Sequence, residues 1–566
     1  PEEARSFILF IDDVHLGPQS AERVRSQLVP FLDREIRDGD WVTVVAPVSG
    51  LWWTARTAFE RRQLATVVGN LKGAFIRDPF RNSLTNRDVI TEYEAMRLEE
   101  YAGGAVTRSQ LATGATSPSA ASNATYGGNR HQIAQEKYLG AKRRIRQTLQ
   151  ALEAALRALS GFRGRKALLF YSEGFLRSPS MGDYDRVIEV ARQAHAAVYF
   201  VHAGGLPTGL APVPTGSVDD ETRPGILVEL DTTAAGTAYL AASTGGRTSV
   251  SNDVAALLRD AAAESSVYYL LGFAPTAGRD GERKIKVRVR RDGLSVRATD
   301  RYRVGGGRDK PLPPAAEALA AVADVTGLPF RVATLDLDDV PAGARKTLLA
   351  VELDAPPGER DRAGERRVNL IVDLRAAAGG KPLREDLELT VTSAPGRPAV
   401  ATRELRLAPG VWQARVVVRD ARTDAVGSAL HTFEVPAPAG LRLSSPILTD
   451  VLDTADRPKP VLKLARRYAA EGALYLQYRV FGAAKDPSAG RPRVTAAWTI
   501  RGAAGVARQD PPSPIEPTSD GTLIRLVGIG LAGLPPGDYA LALRVTDEIA
   551  GTTAERTEPF TIVAES

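Results

Sequence analysis

The chain has no cysteine among its 566 residues, which removes thiol catalysis, thiolate zinc sites, iron–sulfur clusters and disulfides together. It also lacks an uninterrupted apolar run of about 18 residues, so no segment reads as a transmembrane helix. A large charge of one sign is missing too. Lys and Arg number 73 against 67 Asp and Glu, and the excess of six reads as a small surplus rather than a basic tail or stripe. On that basis no nucleic-acid partner is expected. There is no charged leader followed by an apolar segment, and the first residue is Pro1. The expectation is an exported protein, periplasmic or extracellular, whose signal peptide has been removed; a trimmed cytosolic fragment is the plainer alternative.

What is present describes an ordinary globular protein. Hydrophobic residues make up 43% and charged residues 25%, which excludes collagen and wholesale disorder. At roughly 150 residues per domain, this length implies three to four domains.

The first half alternates strand and helix signals. Phe7–Ile11 is a continuous apolar run, as expected of a strand covered on both faces, and it ends in Asp12 and Asp13. Val24, Leu28, Leu32 and Ile36 then mark one helix face, with Ser20 as the expected N-cap and Pro30 as an expected kink. Trp41–Val45 reads as a second buried strand and Leu51–Phe59 as an edge strand. Residues 136–160 form the clearest helix, with a stripe of Ile145, Leu149, Leu152, Leu156 and Leu159. Ala167–Tyr171 and Ala197–Val201 are further buried strands, and a helix over Asp253–Ala263 leads into an apolar strand at Val267–Leu271. This order implies an α/β domain with a doubly wound, mostly parallel sheet and helices on both faces, over residues 1–304. Residues 77–134 fit no element. Their Gly-, Ser- and Asn-rich core reads as an insertion loop, with Gly103, Ser109, Ser117, Asn123 and Tyr126 as candidate partner-binding residues.

Residues 305–315 form a Gly/Pro linker, and beyond it helical periodicity gives way to alternation. The last part repeats itself. Pro409-Gly410-Val411-Trp412, Asp420 and Phe433 recur as Pro536-Gly537-Asp538-Tyr539, Asp547 and Phe560, at a constant offset. Val368–Gly379 likewise matches Val494–Gly505. Two tandem all-β sandwich domains of Ig-like type, 316–439 and 440–566, are expected, with Trp412 and Tyr539 as equivalent aromatics.

The first domain resembles a family. Phe7–Leu16, Ala167–Gly174, Ala197–Gly205, the turn Thr244-Gly245-Gly246-Arg247 and the tail Tyr268–Pro275 with Ile285–Val289 are similar to von Willebrand factor A domains. More narrowly, they resemble the VWFA-related bacterial proteins common in acidobacteria, in which β-rich regions follow. The resemblance implies a site in which an Asp-x-Ser-x-Ser loop, a Thr and a further Asp hold a hard cation. Asp12 matches the first position. Val14 and Leu16 stand where the serines belong, Ser172-Glu173-Gly174 replaces the usual Asp-Gly, and no Thr is matched. The site is therefore degenerate, and no cofactor is expected in its usual form.

Asp12, Asp13, His15, Glu173 and His202 nonetheless fall after neighbouring strands, at one carboxyl edge. They form a candidate nonstandard site for a divalent cation. The plain alternative is that the two Asp cap a helix while the His are satisfied polar residues at strand ends. Tyr171-Ser172-Glu173-Gly174 is not the Gly-x-Ser-x-Gly elbow of hydrolases, so no catalytic residue is assigned. The preferred reading is a non-enzymatic, exported binding or scaffold protein acting in adhesion or protein–protein interaction, with a protein partner, a larger assembly or self-association. A structural subunit of an envelope or extracellular assembly, and a metal-dependent enzyme or sensor, stand as alternatives.

Overall fold

The structure is a computed structural model. It describes the chain apart from residues 1–4, 74, 76–91, 102–119, 160–161, 163–165, 179, 205–235, 250–253, 268, 270, 272–280, 294–295, 297, 299–300, 305–312, 340–343, 355–363, 395–396, 455–457 and 565–566. The chain divides into two compact units, the first formed chiefly by Pro1–Pro313 and the second chiefly by residues 324–376 and 383–566.

The first unit is built on a six-stranded sheet in the order β3-β2-β1-β4-β5-β6. The strands are β1 (Ser6–Ile11), β2 (Trp41–Ala46), β3 (Leu51–Arg56), β4 (Lys166–Ser172), β5 (Ala196–His202) and β6 (Thr248–Ser249). All neighbours run parallel except β2 and β3, which pair antiparallel. Every residue of β1 and β4 is buried, because successive side chains enter opposite layers. Ile8, Phe10, Leu168, Phe170 and Phe200 join one core with Ile145, Leu149, Leu152 and Leu156 of the helix Ala120–Ala158. Phe7 turns to the other face, where its ring lies 6.1 Å from Phe31 of the helix Pro18–Arg34. Full burial of each such side chain contributes about 1.5–3 kcal/mol.

Several boundaries differ from those expected. The helix Pro18–Arg34 has Pro in its first turn and Gly17 at its N-cap, so Ser20 lies buried inside it and caps nothing. A pre-set proline φ starts the helix two residues before the hydroxyl. Pro30 lies within the helix. The long helix begins at Ala120, and a second helix spans Glu92–Tyr101, so the stretch 77–134 is not loop throughout. Once the Ile145–Leu156 stripe is anchored, each residue added N-terminally gains a hydrogen bond without a new nucleus, and the alanines near its start favour this. The strand expected at Val267–Leu271 is not formed: Val267, Tyr269 and Leu271 are exposed and outside any strand, while Tyr268 and Leu270 lie outside the described residues. A short antiparallel pair, β7 (Gly281–Lys284) with β8 (Arg301–Val304), closes this unit's chain. Residues 305–312 of the expected linker lie outside the described residues, and its last part enters the helix Pro314–Ala320.

The second unit holds two pairs of facing sheets, antiparallel but for one short parallel pairing at an edge of the last sheet. Its strands begin with β9 (Phe330–Asp339), β10 (Arg345–Leu353), β11 (Gly364–Ala376), β12 (Leu383–Ser393), β13 (Ala399–Leu407), β14 (Gly410–Asp420) and β15 (Val426–Val435). Here β13-β10-β9 faces β12-β11-β14-β15 across a core of Leu349, Val351, Leu370, Val372, Val416 and Val418. Then follow β16 (Arg442–Leu443), β17 (Ile447–Thr449), β18 (Leu452–Asp453), β19 (Lys459–Pro460), β20 (Arg467–Ala469), β21 (Ala473–Phe481), β22 (Val494–Gly502), β23 (Gly505–Pro514), β24 (Leu523–Gly530), β25 (Gly537–Asp547) and β26 (Thr552–Val563). In this second sandwich β21 lies between β24 and the short β16 and β17, and the facing sheet runs β20-β26-β25-β22-β23. The strand orders correspond in part, β13-β10-β9 to β24-β21-β17 and β12-β11-β14-β15 to β23-β22-β25-β26, while β16 and β20 of the second sandwich have no counterpart in the first. Trp412 pairs with Phe433 and Tyr539 with Phe560. Trp412 Nε1 donates to Ala408 O at 2.9 Å and Tyr539 Oη to Pro535 O at 2.8 Å, each four residues back.

The sandwiches are joined by buried polar contacts. Asp336 N–H donates to Ser445 Oγ and Ser445 N–H to Asp336 O, both at 2.9 Å. Glu352 in β10, nearly fully buried, accepts the backbone N–H groups of Leu464 and Ala465.

Candidate functional site

The carboxyl edge of the first sheet is assembled by register. Ile11 pairs with Tyr171 and Ser172 with His202, so the residues that leave β1, β4 and β5 emerge side by side. Asp12 N–H continues the ladder to Tyr171 O at 2.8 Å, which fixes the carboxylate over the end of β4. Asp12 is wholly buried. Its Oδ1 accepts the Thr148 hydroxyl at 2.7 Å, and its Oδ2 accepts the Ser172 hydroxyl at 2.6 Å and faces His15 Nδ1 at 2.9 Å. Buried carboxyl oxygens need such partners to offset the hydration they lose. The Ser172 oxygen also accepts Gly174 N–H at 3.0 Å, so the hydroxyl is engaged both as donor and as acceptor. His15 is clamped at 5.2 Å from the Phe175 ring and 6.2 Å from Phe75.

Asp13 takes the other direction, as neighbouring residues of an extended chain do. Its carboxylate accepts Val48 N–H at 2.9 Å and both Ser49 N–H and Ser49 Oγ at 2.7 Å, pinning the β2–β3 turn. Burial pushes the Asp13 carboxyl above its ordinary pKa, and these three bonds offset the push only in part. Glu173 accepts Gly17 N–H at 3.0 Å, so it tethers the start of the helix Pro18–Arg34. His202 is half-buried with its ring 6.4 Å from Phe200. A Cβ on Gly204 would lie 2.8 Å from His202 Cε1, so glycine is what lets the chain turn back over that imidazole.

The five residues expected at one site therefore separate. Asp12 and His15 meet; Asp13 serves the β2–β3 turn, Glu173 the next helix, and His202 lies at the end of β5. Among the described residues, no group of three or more His, Asp or Glu side chains is placed to hold a metal ion. The arrangement ties the long helix, the end of β4 and the loop after β1 together through one carboxylate. Thr148 is the member that the sequence did not announce. It stands three residues after Ile145 and four before Leu152, a lone hydroxyl on an otherwise apolar helix stripe.

A second polar cluster lies where the helix Glu92–Tyr101 packs on the long helix. Glu100 accepts the hydroxyls of Tyr138, Ser178 and Ser180, the last at 2.6 Å, and Lys142 Nζ donates to Ser180 Oγ at 2.8 Å. Desolvation would raise the Glu100 pKa, but the three hydroxyls and the Lys142 charge outweigh it and hold the carboxyl below its ordinary value. Of the candidate partner-binding residues, Asn123 and Tyr126 fall in the helix Ala120–Ala158 rather than in a loop, while Gly103, Ser109 and Ser117 lie outside the described residues.

No family model matches the chain, and no curated protein matches it. Solved structures give distant similarities. Dimeric latent PorU from Porphyromonas gingivalis is 14% identical with a TM-score of 0.19, covering 42% of this chain and 20% of that one. Salmonella alpha-2-macroglobulin reacted with methylamine is 9% identical with a TM-score of 0.21, covering 42% and 24%. This chain thus spans about a quarter or less of either structure it matches.

Proposed function

We propose that the chain is a non-enzymatic, exported binding or scaffold protein: a VWA-like head with a degenerate adhesion site, followed by two Ig-like sandwiches that act as a stalk. Support for the head comes from a strand order of 3-2-1-4-5-6 with a single antiparallel edge strand, helices on both faces and an aspartate leaving the first strand. The observation that carries the functional reading is the state of Asp12. At the position where an adhesion site would present oxygens to a cation, its carboxylate is engaged by Thr148, Ser172 and His15. Val14 and Leu16, at the two serine positions, are buried hydrocarbon. The residues present do not fit the cation that the resemblance implies, so recognition is assigned to a metal-independent surface. The joined sandwiches suit a scaffold, because buried contacts fix one to the next.

Calorimetric titration of the purified chain with Mg²⁺ and with Ca²⁺ tests this. No tight binding is expected. A low-micromolar dissociation constant that disappears in Asp12→Ala would overturn the reading and restore the metal-dependent alternative.

A further inference from the structure

The net charge of the chain is not spread over it. Nine of the 73 Lys and Arg and three of the 67 Asp and Glu lie in residues 281–304, a local excess of six that equals the excess of the whole molecule. The pattern within this stretch is ordered. From Lys284 to Arg290 basic residues occupy every second position, with Ile285, Val287 and Val289 between them. Exposure alternates in step: Lys284, Lys286 and Arg288 are exposed, while Arg283, Ile285 and Val287 are half-buried. Arg290 and Arg291 continue the exposed basic run to the turn at Asp292-Gly293, where Gly293 has φ +78°.

Two features mark this stretch. Lys284, Lys286, Arg288, Arg290 and Arg291 are all exposed, and none of them makes an ion pair with a described residue. The same stretch and the residues just before it also expose large apolar side chains: Val289 at 48% and Val296 at 40%, preceded by Val267, Tyr269 at 90%, and Leu271. A polyanion such as nucleic acid would use the charges and leave the aliphatic groups in water. An anionic bilayer surface takes both, because headgroups attract the cations while Val, Leu and Tyr side chains enter the interface. A cationic row with exposed Val289 inside it and exposed Val296 just beyond it fits an anionic bilayer surface better than a soluble polyanion.

We propose that Lys284, Lys286, Arg288, Arg290 and Arg291, with Val289 and Val296, form a docking surface for anionic phospholipid membranes, making the chain a peripheral membrane protein. This goes beyond the scaffold reading and does not depend on it, since the residues concerned are remote in sequence from the Asp12 network. Each basic side chain near an anionic surface strengthens binding about five-fold, so the five together account for a factor on the order of a thousand. The attraction weakens as salt shortens the screening length.

Co-sedimentation of the full chain with vesicles tests it. Vesicles of phosphatidylcholine and phosphatidylglycerol in roughly a 7:3 ratio should bind the chain at low salt, and pure phosphatidylcholine vesicles should not. A variant with all five basic residues changed to Gln should lose binding; these positions are exposed, so its melting temperature should match the parent. A second variant, Val289→Ser with Val296→Ser, keeps every charge and should still weaken vesicle binding about ten-fold. Undiminished binding by the five-fold Gln variant would overturn the proposal. So would tight binding to single-stranded RNA or heparin together with vesicle binding indifferent to the Ser variant, a result that would assign the surface to a soluble polyanion.

Discussion

Asp420 and Asp547 do the same work in successive sandwiches. Each is fully buried at the end of the next-to-last strand, and each accepts the backbone N–H groups two and three residues ahead: Arg422 and Thr423 at 2.9 and 2.8 Å, Ile549 and Ala550 at 2.9 and 3.1 Å. Asp420 faces Val368 and Asp547 faces Val494 across the sheet. The second carboxylate oxygen differs between them, accepting Arg366 Nε in the first sandwich and Ala484 N–H in the second.

Replacing either aspartate by Ala leaves buried turn amides without acceptors, and we expect a loss of about 2–4 kcal/mol in urea unfolding for each. Since the two turns are separate, the double variant should lose close to the sum.

Acid stability should fall in two windows. Burial holds His431 down to about 4, below its ordinary 6.5, so between these values the unfolded chain binds the extra proton and stability declines as pH drops. Burial opposes ionisation of Asp420, yet Arg366 and the turn amides hold its pKa at about 2, so its contribution is present above the ordinary carboxylate value and is lost as pH falls from about 4 to about 2. His431→Gln should flatten the upper window only, and Asp420→Asn the lower, in melts followed against pH.

Thr148→Val keeps shape and removes one donor to the Asp12 carboxylate. A cost of about 1–3 kcal/mol is expected, and Thr148→Ser should recover most of it. An effect below about 0.5 kcal/mol would mean that the hydroxyl is dispensable to the network.

Two glycines should respond in opposite directions. A Cβ on Gly246 would lie 1.9 Å from Val198 O, against the backbone of β5, so Gly246→Ala should destabilise by about 3 kcal/mol or more. At Gly140, inside the long helix, the nearest atom would be the end of the Arg144 side chain at 3.6 Å, and Gly140→Ala should stabilise by about 0.5–1 kcal/mol. Paired thermal melts decide both.

The buried strands were legible because covering a strand on both faces leaves an unbroken apolar run, as in Phe7–Ile11 and Ala167–Tyr171. The paired aspartates of the sandwiches were legible because a repeat aligns them whatever their role. The divergence of Asp12 and Asp13 was not, since adjacent residues carry the same letters while pointing to opposite sides. Thr148 was hidden as a seeming gap in an apolar stripe, and the helix start at Ala120 was masked by Gly127 and Gly128, which lower local helix preference. The basic stretch was concealed by averaging, because a neutral remainder dilutes a local excess of six to an unremarkable total.

The contacts of Asp336 and Glu352 with the second sandwich carry a mechanical consequence. Ser445 sits in the segment that enters that sandwich, and its backbone is hydrogen-bonded to β9 of the first; Leu464 and Ala465, further along, are held by a carboxylate of β10. A pull on the chain cannot part the two sandwiches by straightening a hinge, because the hinge is stitched to a strand on one side. Tension must first rupture these shielded bonds as a group. The pair should extend in single-molecule stretching as one stiff link with a distinct yield point, not as two beads sliding on a slack thread.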